Sequence, residues 1–209
     1  MNNTLIKVEN LVKTFGGLVA LNDCSLEIKD KAITGIIGPN GSGKTTLFNV
    51  ITGNLKPDTG KVFYNGVEIT NEESHDLFHL GVLRTFQIAH EFSNLSVLEN
   101  LMMVPGNQSG EKIMTALFKP NLVAEEEAVI KDKAKEVVDF LNLGHLSNEL
   151  AGNLSGGQKK LLELGRTMMV DAKLVLLDEV GAGVNRTLLK DLGTAIEKLN
   201  KEKGYTFCM

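Results

Sequence analysis

Gly38-Pro39-Asn40-Gly41-Ser42-Gly43-Lys44-Thr45-Thr46 satisfies the pattern G-x-x-x-x-G-K-[ST]. It lies directly after the apolar run Thr34-Gly35-Ile36-Ile37 and directly before Leu47-Phe48-Asn49-Val50-Ile51. The loop therefore falls where a strand ends and a helix begins. Gly38, Gly41 and Gly43 lack a β-carbon, so the backbone can curl until several N–H groups point inward, and the following helix adds its positive end. That is a cradle for the β- and γ-phosphates of a nucleotide. Lys44 supplies a mobile cation for the same oxygens, and the Thr45 hydroxyl is a hard oxygen ligand suited to Mg²⁺. The plain alternative is a glycine-rich turn with no ligand, and the strand-then-helix context speaks against it.

Outward from the loop, length and composition set bounds. The 209 residues are 43% hydrophobic, enough for one large core or two small ones, and the reading is one α/β unit with an inserted lobe. A net charge of −4, with an isoelectric point near 5.6 and no basic block, gives no general attraction to nucleic acid. No apolar stretch reaches the ~20 residues that span a bilayer, and Met1-Asn2-Asn3-Thr4 is no signal peptide, so a soluble cytosolic chain is expected. Cys24 and Cys208 have neither metal-type spacing nor a disulfide framework and read as buried or incidental thiols.

Leu5 to Val8 and Ser25 to Ile28 alternate as strands, and Lys61 to Tyr64 meets Val67 to Ile69 across Asn65-Gly66, a hairpin signal. Ile33 to Ile37, Gly81 to Phe86 and Leu174 to Leu177 are expected as buried strands of a mostly parallel sheet. From about Leu95 to Gly152 the period turns helical. Ile130, Ala134, Val137, Val138 and Leu141 share one face, and the charges from Glu125 to Glu136 form a solvated one.

Two further patterns carry chemistry. In Leu154-Ser155-Gly156-Gly157-Gln158 the serine and the glutamine three residues on make a capping box, followed by Leu161, Leu164, Gly165, Met168 and Met169 at helical spacing. A helix starting at the two glycines presents bare N–H groups, a hydroxyl and a positive dipole end, a second anion site. Leu174-Val175-Leu176-Leu177 then ends in Asp178-Glu179, which a parallel sheet delivers to its carboxyl edge beside the phosphate loop. Asp178 is placed to hold Mg²⁺ through water, and Glu179 to orient and polarise the attacking water. Taken singly, a helix start and an acidic strand end are ordinary structure; their coincidence with Lys44 is what argues for function.

Together these motifs make the chain resemble, over essentially its whole length, the ATP-binding subunit of an ABC transporter. Gly38 to Thr46 matches that family's Walker A loop, Gln87 in Arg84-Thr85-Phe86-Gln87 its Q-loop, Leu154 to Gln158 its signature and Leu174 to Asp178 its Walker B. Glu179 matches its catalytic carboxylate and Gly181-Ala182-Gly183-Val184-Asn185 its D-loop. The resemblance implies ATP and Mg²⁺ as cofactors, held by Gly38, Pro39, Asn40, Gly41, Ser42, Gly43, Lys44, Thr45 and Thr46, with Thr45, Gln87 and Asp178 toward the metal. Phe15 matches the aromatic that stacks on adenine, although a lone Phe near a strand could equally be core. The family pairs two subunits head to tail, so Ser155, Gly156, Gly157 and Gln158 would serve the partner's nucleotide. The implied fold is a P-loop NTPase core with a mostly parallel sheet, an N-terminal antiparallel β subdomain and an inserted helical subdomain near residues 90–165, within one nucleotide-binding domain over 1–209.

Within the family, Phe15 to Leu18, Gly81 to Gln87, Ser96 to Leu101 and the lobe from Pro105 to Leu150 look most like branched-chain amino acid importers; relatives that import urea and short amides share the pattern. Implied partners are a second ATP-binding subunit, identical or not, membrane-spanning permeases and, indirectly, a solute-binding protein, at the cytoplasmic face of the inner membrane. Phe92, Leu95, Val97 and Leu98 are candidate docking residues or ordinary lobe core. A soluble ABC ATPase that remodels protein or nucleic acid, or a fragment that binds nucleotide or poisons dimers, are the alternative classes. Two departures stand out. Val180 replaces the usual proline after the carboxylate, and His75, His79, His90 and His145 all precede the position of the family's switch histidine, which would fall beyond Met209. A C-terminally shortened cassette that binds ATP weakly and hydrolyses little is therefore expected.

Overall fold

Alternation of apolar and polar residues produces two long strands, β1 (Thr4–Phe15) and β2 (Leu18–Lys29), joined at Gly16-Gly17. In the computed structural model the described residues are 3–85, 91–106, 108–178 and 186–209. They form two units: one from the described residues of Met1–Gln87, Ala172–Val180 and Ile196–Met209, the other from those of Ile88–Asp171 and Gly181–Ala195.

In the first unit β1 and β2 extend well past the sequence expectation of Leu5 to Val8 and Ser25 to Ile28. Register shifts interrupt the pairing, and Asn10 and Asp23, with φ of 50° and 53°, break the strict alternation. The side chains of these two residues bridge the irregularity, Asn10 Nδ2 donating to Asp23 Oδ1 at 2.6 Å. Next comes the expected hairpin, β4 (Thr59–Tyr64) to β5 (Val67–Glu68). Asn65 and Gly66 have φ of 49° and 79°, the paired positive values that match the twist of a two-residue turn. The antiparallel sheet has the order β2-β1-β4-β5.

The second sheet of this unit is parallel, with β3 (Ile33–Thr34), β6 (Val82–Thr85), β7 (Leu174–Leu177) and β8 (Thr206–Cys208) in the order β3-β8-β7-β6. β7 is buried at every position, as its unbroken apolar run predicts. Ile33 to Ile37 departs from expectation: only two of its residues are strand, Ile33 is 42% exposed and Ile37 99% exposed. β3 is an edge strand, paired with β8 on one side; edge position, invisible in an apolar run, decides its burial. Helix α1 (Lys44–Ile51) turns Leu47, Phe48, Val50 and Ile51 into a core shared with Ile6, Leu11 and Val62 of the antiparallel sheet and Leu174 and Leu176 of β7. Helix α2 (Ser74–His79) adds Leu77. Burial pushes the Cys208 thiol up to about 12, which leaves it an inert core group.

The second unit is helical, with α3 (Val97–Met102), α4 (Ile113–Phe118), α5 (Pro120–Phe140) and α6 (Gly156–Met169). Ala134, Val137, Val138 and Leu141 are buried, the face the period predicts. Gly165 lets the helices approach closely: a β-carbon there would sit 2.8 Å from Leu141 Cδ1 and 3.1 Å from Val137 Cγ1. Helix α7 (Arg186–Lys203) precedes β8. Among the described residues no helix is long and apolar enough to cross a membrane.

Asn100 is the polar hub of the second unit. It is fully buried; its Nδ2 donates to the carbonyls of Phe92 (3.0 Å), Leu95 (3.3 Å) and Ser96 (2.9 Å), and its Oδ1 accepts from Phe92 N at 2.9 Å. One amide thus satisfies a whole connecting loop. Asn100→Ala is expected to destabilise this unit by about 2–4 kcal/mol, because it strands several buried backbone groups at once. Urea unfolding followed by circular dichroism measures it, and a loss below about 0.5 kcal/mol would show that water replaces the amide.

Candidate nucleotide-binding site

The phosphate loop is built as its glycines demand. Gly41 and Gly43 have φ of 81° and 90°, backbone that a side chain strains. At Gly43, which caps the start of α1, a β-carbon would lie 2.4 Å from the Ala20 carbonyl oxygen and 3.1 Å from Leu21 Cδ2. At Gly38 it would lie 2.6 Å from Ser42 Oγ. Pro39 O accepts from Ser42 N at 3.2 Å, and Gly43 O from Leu47 N at 2.8 Å, which carries the chain from loop into helix. Lys44 Nζ donates to the carbonyls of Gly38 (2.7 Å) and Pro39 (2.9 Å), so the ammonium is held over its own loop. Asn40 and Thr46 complete the segment, the former exposed.

Thr45 and Asp178, 133 positions apart, meet. Thr45 Oγ1 donates to Asp178 Oδ2 at 3.0 Å, because α1 begins where β7 ends. This hydroxyl and carboxylate, both hard oxygen donors, are of the kind Mg²⁺ takes, so the residues present fit that metal. Asp178 is buried, and its countercharge is Arg84, whose Nη2 donates to Asp178 Oδ2 at 2.7 Å. The other arm of that guanidinium donates to Asn49 Oδ1 on α1. The sequence motifs give no role to Arg84 or Asn49. The available signal was a lone cation inside the apolar strand run Gly81 to Phe86, since a buried charge requires a partner.

Phe15 ends β1 and is 49% exposed, so it is no core residue. Beside it Asp58 accepts from Lys13 Nζ at 2.8 Å and from Thr14 N and Oγ1, each at 2.7 Å. Those bonds, Lys13's foremost, hold the Asp58 carboxyl down to about 2. The Lys13 ammonium lies 5.8 Å from the Phe15 ring centroid.

In the second unit Ser155 caps α6 as the sequence predicts. Its Oγ accepts from Gln158 N at 3.4 Å, and its own N–H donates to Gln158 Oε1 at 2.9 Å. Ser155 and Gly156 are exposed while Gly157 is buried, and a β-carbon on Gly156 would meet nothing within 4 Å. The start of α6 is therefore bare backbone. One turn on, Lys159 Nζ pairs with Glu91 Oε1 at 2.6 Å. Burial pulls Glu91 upward, yet the Lys159 bond, a bond from its own backbone, the Lys159 charge and the Ser93 hydroxyl together hold the carboxyl below its ordinary value. Of the four candidate docking residues, Val97 is core and Leu95 and Leu98 are half-buried, while Phe92 is exposed with the Arg166 guanidinium 5.5 Å from its ring centroid. Gln87, Glu179, Val180 and Gly181 to Asn185 lie outside the described residues.

A glycine-rich loop at a strand-to-helix junction, with a lysine over it and an acidic strand end against its threonine, defines a P-loop nucleotide-binding protein. The comparisons narrow this class. Residues 21–182 match the family model described as ABC transporter. A protein of Methanocaldococcus jannaschii named as a probable branched-chain amino acid transport ATP-binding protein, LivG, is 43% identical over 97% of this chain and 78% of its own length. A high-affinity branched-chain amino acid transport ATP-binding protein of Pseudomonas aeruginosa, BraF, is 34% identical over 99% of this chain and 81% of its own. The crystal structure of a nucleotide-free ATP-binding cassette from an ABC transporter superposes with a TM-score of 0.83 at 42% identity, covering 98% of this chain and 80% of that one. The chain belongs to the ABC transporter family as its ATP-binding cassette, an ATPase.

Proposed function

We propose that this cassette powers an importer of branched-chain amino acids. The observation that carries the reading is likeness over nearly the whole chain, at 43% identity, to a relative named for that transport. Geometry supports the energetic half. Lys44 supplies the positive charge for the β- and γ-phosphates of ATP, and the N–H groups from Gly38 to Thr46 cradle them. Thr45 and Asp178 would hold Mg²⁺, with Gln87 toward the γ-phosphate; when bound, the metal neutralises the charge that develops on the phosphate oxygens. Glu179 accepts a proton from the attacking water. Phe15 offers an exposed ring to adenine.

The exposed start of α6 at Ser155 and Gly156, with Gly157 and Gln158, serves the nucleotide of a second ATP-binding subunit. In support, a 25%-identical ATP-binding cassette bound to ADP and Pi is dimeric, with a TM-score of 0.76. Permease subunits at the cytoplasmic face of the membrane complete the assembly, with a solute-binding protein beyond them. Deleting the gene from its host and measuring uptake of labelled leucine, isoleucine and valine beside urea and acetamide tests this reading. Loss of leucine uptake is expected. Loss of urea or acetamide uptake alone would overturn the solute, and no change in any would overturn the importer role.

A further inference from the structure

Arg84 stands in an unusual position for a cation. It sits in β6, its side chain only 13% exposed, against an Asp178 carboxylate 5% exposed. Its two terminal nitrogens are committed to different elements, one to Asp178 on β7 at 2.7 Å and the other to Asn49 on α1. Its Nε is buried with no hydrogen-bond partner among the described residues. The carboxylate oxygen that accepts from Arg84 also accepts from Thr45. The two described residues that would hold the metal, Thr45 and Asp178, are thus already tied, directly or through one bond, to a fixed guanidinium.

Two effects of this arrangement oppose each other. The guanidinium aims Asp178 and neutralises it, which favours a formed site. It also places a full positive charge beside the residues that would hold a divalent cation and engages the carboxylate oxygen through which the cation, or a water bound to it, would be held. In a partly buried site the charge effect is the larger, because Coulomb interactions are weakly screened there, whereas aiming fixes only two side-chain torsions of one aspartate. We infer that Arg84 is a positioning residue that sets the metal affinity of the ATP site: it compensates Asp178 in the metal-free protein and opposes capture of a divalent cation, so that the metal is retained only with the nucleotide's phosphates. This inference rests on Asp178 and Thr45 being the metal-holding residues.

The test uses Mn²⁺ as a paramagnetic stand-in for Mg²⁺, titrated by electron paramagnetic resonance into the protein with ADP present and with ADP absent. Arg84→Met and Arg84→Gln are each expected to tighten Mn²⁺ binding by about tenfold, the lost repulsion between a guanidinium and a divalent ion. Arg84→Lys, which keeps the charge, should stay within about twofold of the unchanged protein. In EDTA the Met variant should melt at a lower temperature, and Mn²⁺ alone should restore it more than it raises the unchanged protein. Arg84→Gln keeps hydrogen-bond donors for Asp178 and Asn49 and so carries the test if the Met variant fails to fold. Unchanged or weaker Mn²⁺ binding in the neutral variants would overturn the role of Arg84. Asp178→Asn separates the two layers: if it keeps full Mn²⁺ affinity, the metal reading itself fails, whereas its loss alongside unaltered Arg84 variants sinks the inference alone.

Discussion

In a cassette that also carries the family's switch histidine, Glu179→Gln is expected to slow ATP turnover by about 10²- to 10³-fold while leaving ATP binding intact, the loss typical of a removed general base. Glutamine has nearly the shape of glutamate, so binding contacts persist. On the proposed reading, what disappears is the lone pair that would accept the water's proton, and with it the hydrolysis that would separate an ATP-bound pair of subunits. The same substitution should therefore trap a dimer, visible by size-exclusion chromatography with ATP and Mg²⁺ at concentrations where the unsubstituted protein runs as a monomer. Phosphate release at an undiminished rate would show that another group activates the water. Val180 follows this carboxylate where a proline would fix φ and remove an N–H, which makes Val180→Pro a natural companion in the same assay.

Gly43→Ala is expected to reduce ATP affinity by about 100-fold or more and to destabilise the first unit by about 2–4 kcal/mol. Two causes add. An alanine at φ 90° is strained by roughly 1–2 kcal/mol, and its β-carbon, 2.4 Å from the Ala20 carbonyl oxygen, forces backbone to move. Since Gly43 is also the cap of α1, that movement displaces the loop N–H groups proposed to hold phosphate and the neighbouring Lys44. Gly41→Ala separates the causes, because its φ of 81° is similar but a β-carbon there meets nothing within 4 Å. The Gly41 variant should lose only the strain, about 1–2 kcal/mol, with a smaller drop in affinity. Isothermal titration with ATP and thermal unfolding of both variants give the comparison; equal behaviour would place the whole effect in backbone strain and none in the Ala20 contact.

The features legible in the sequence share a physical character. The phosphate loop, the Asn65-Gly66 turn and the Ser155 to Gln158 capping box are each dictated by backbone torsions and hydrogen bonds within a few consecutive residues. The structure contains the positive-φ Gly41 and Gly43, the two-residue turn and the helix starting at Gly156, although the strand before the loop ends at Thr34. β7 was legible for a related reason, since an unbroken apolar run ending in an acid fits one environment, a buried parallel strand with its end at the site. The helical face from Ala134 to Leu141 followed from period alone. Strand lengths in the first hairpin were less legible, because the irregularities at Asn10 and Asp23 shift the alternation that marks a strand.

By itself, then, the sequence located the glycine-rich loop, the aspartate that follows the strand Leu174 to Leu177, and the capped start of a helix at Gly156. Only the tertiary structure decided which of those groups face one another and which are spare. Ile37 looks like core and is almost fully exposed, whereas Asn100 looks like a surface residue and is fully buried; burial depends on neighbours that no local pattern names. Thr45 and Asp178 meet across 133 positions and Arg84 and Asp178 across 94. The second meeting follows from strand order, which sets β6 beside β7 in register from Val82 with Leu174 to Thr85 with Leu177, and the first from the start of α1 at the end of β7. A charge within an apolar strand announces that it needs a partner, but only the packed sheet supplies the aspartate that answers it.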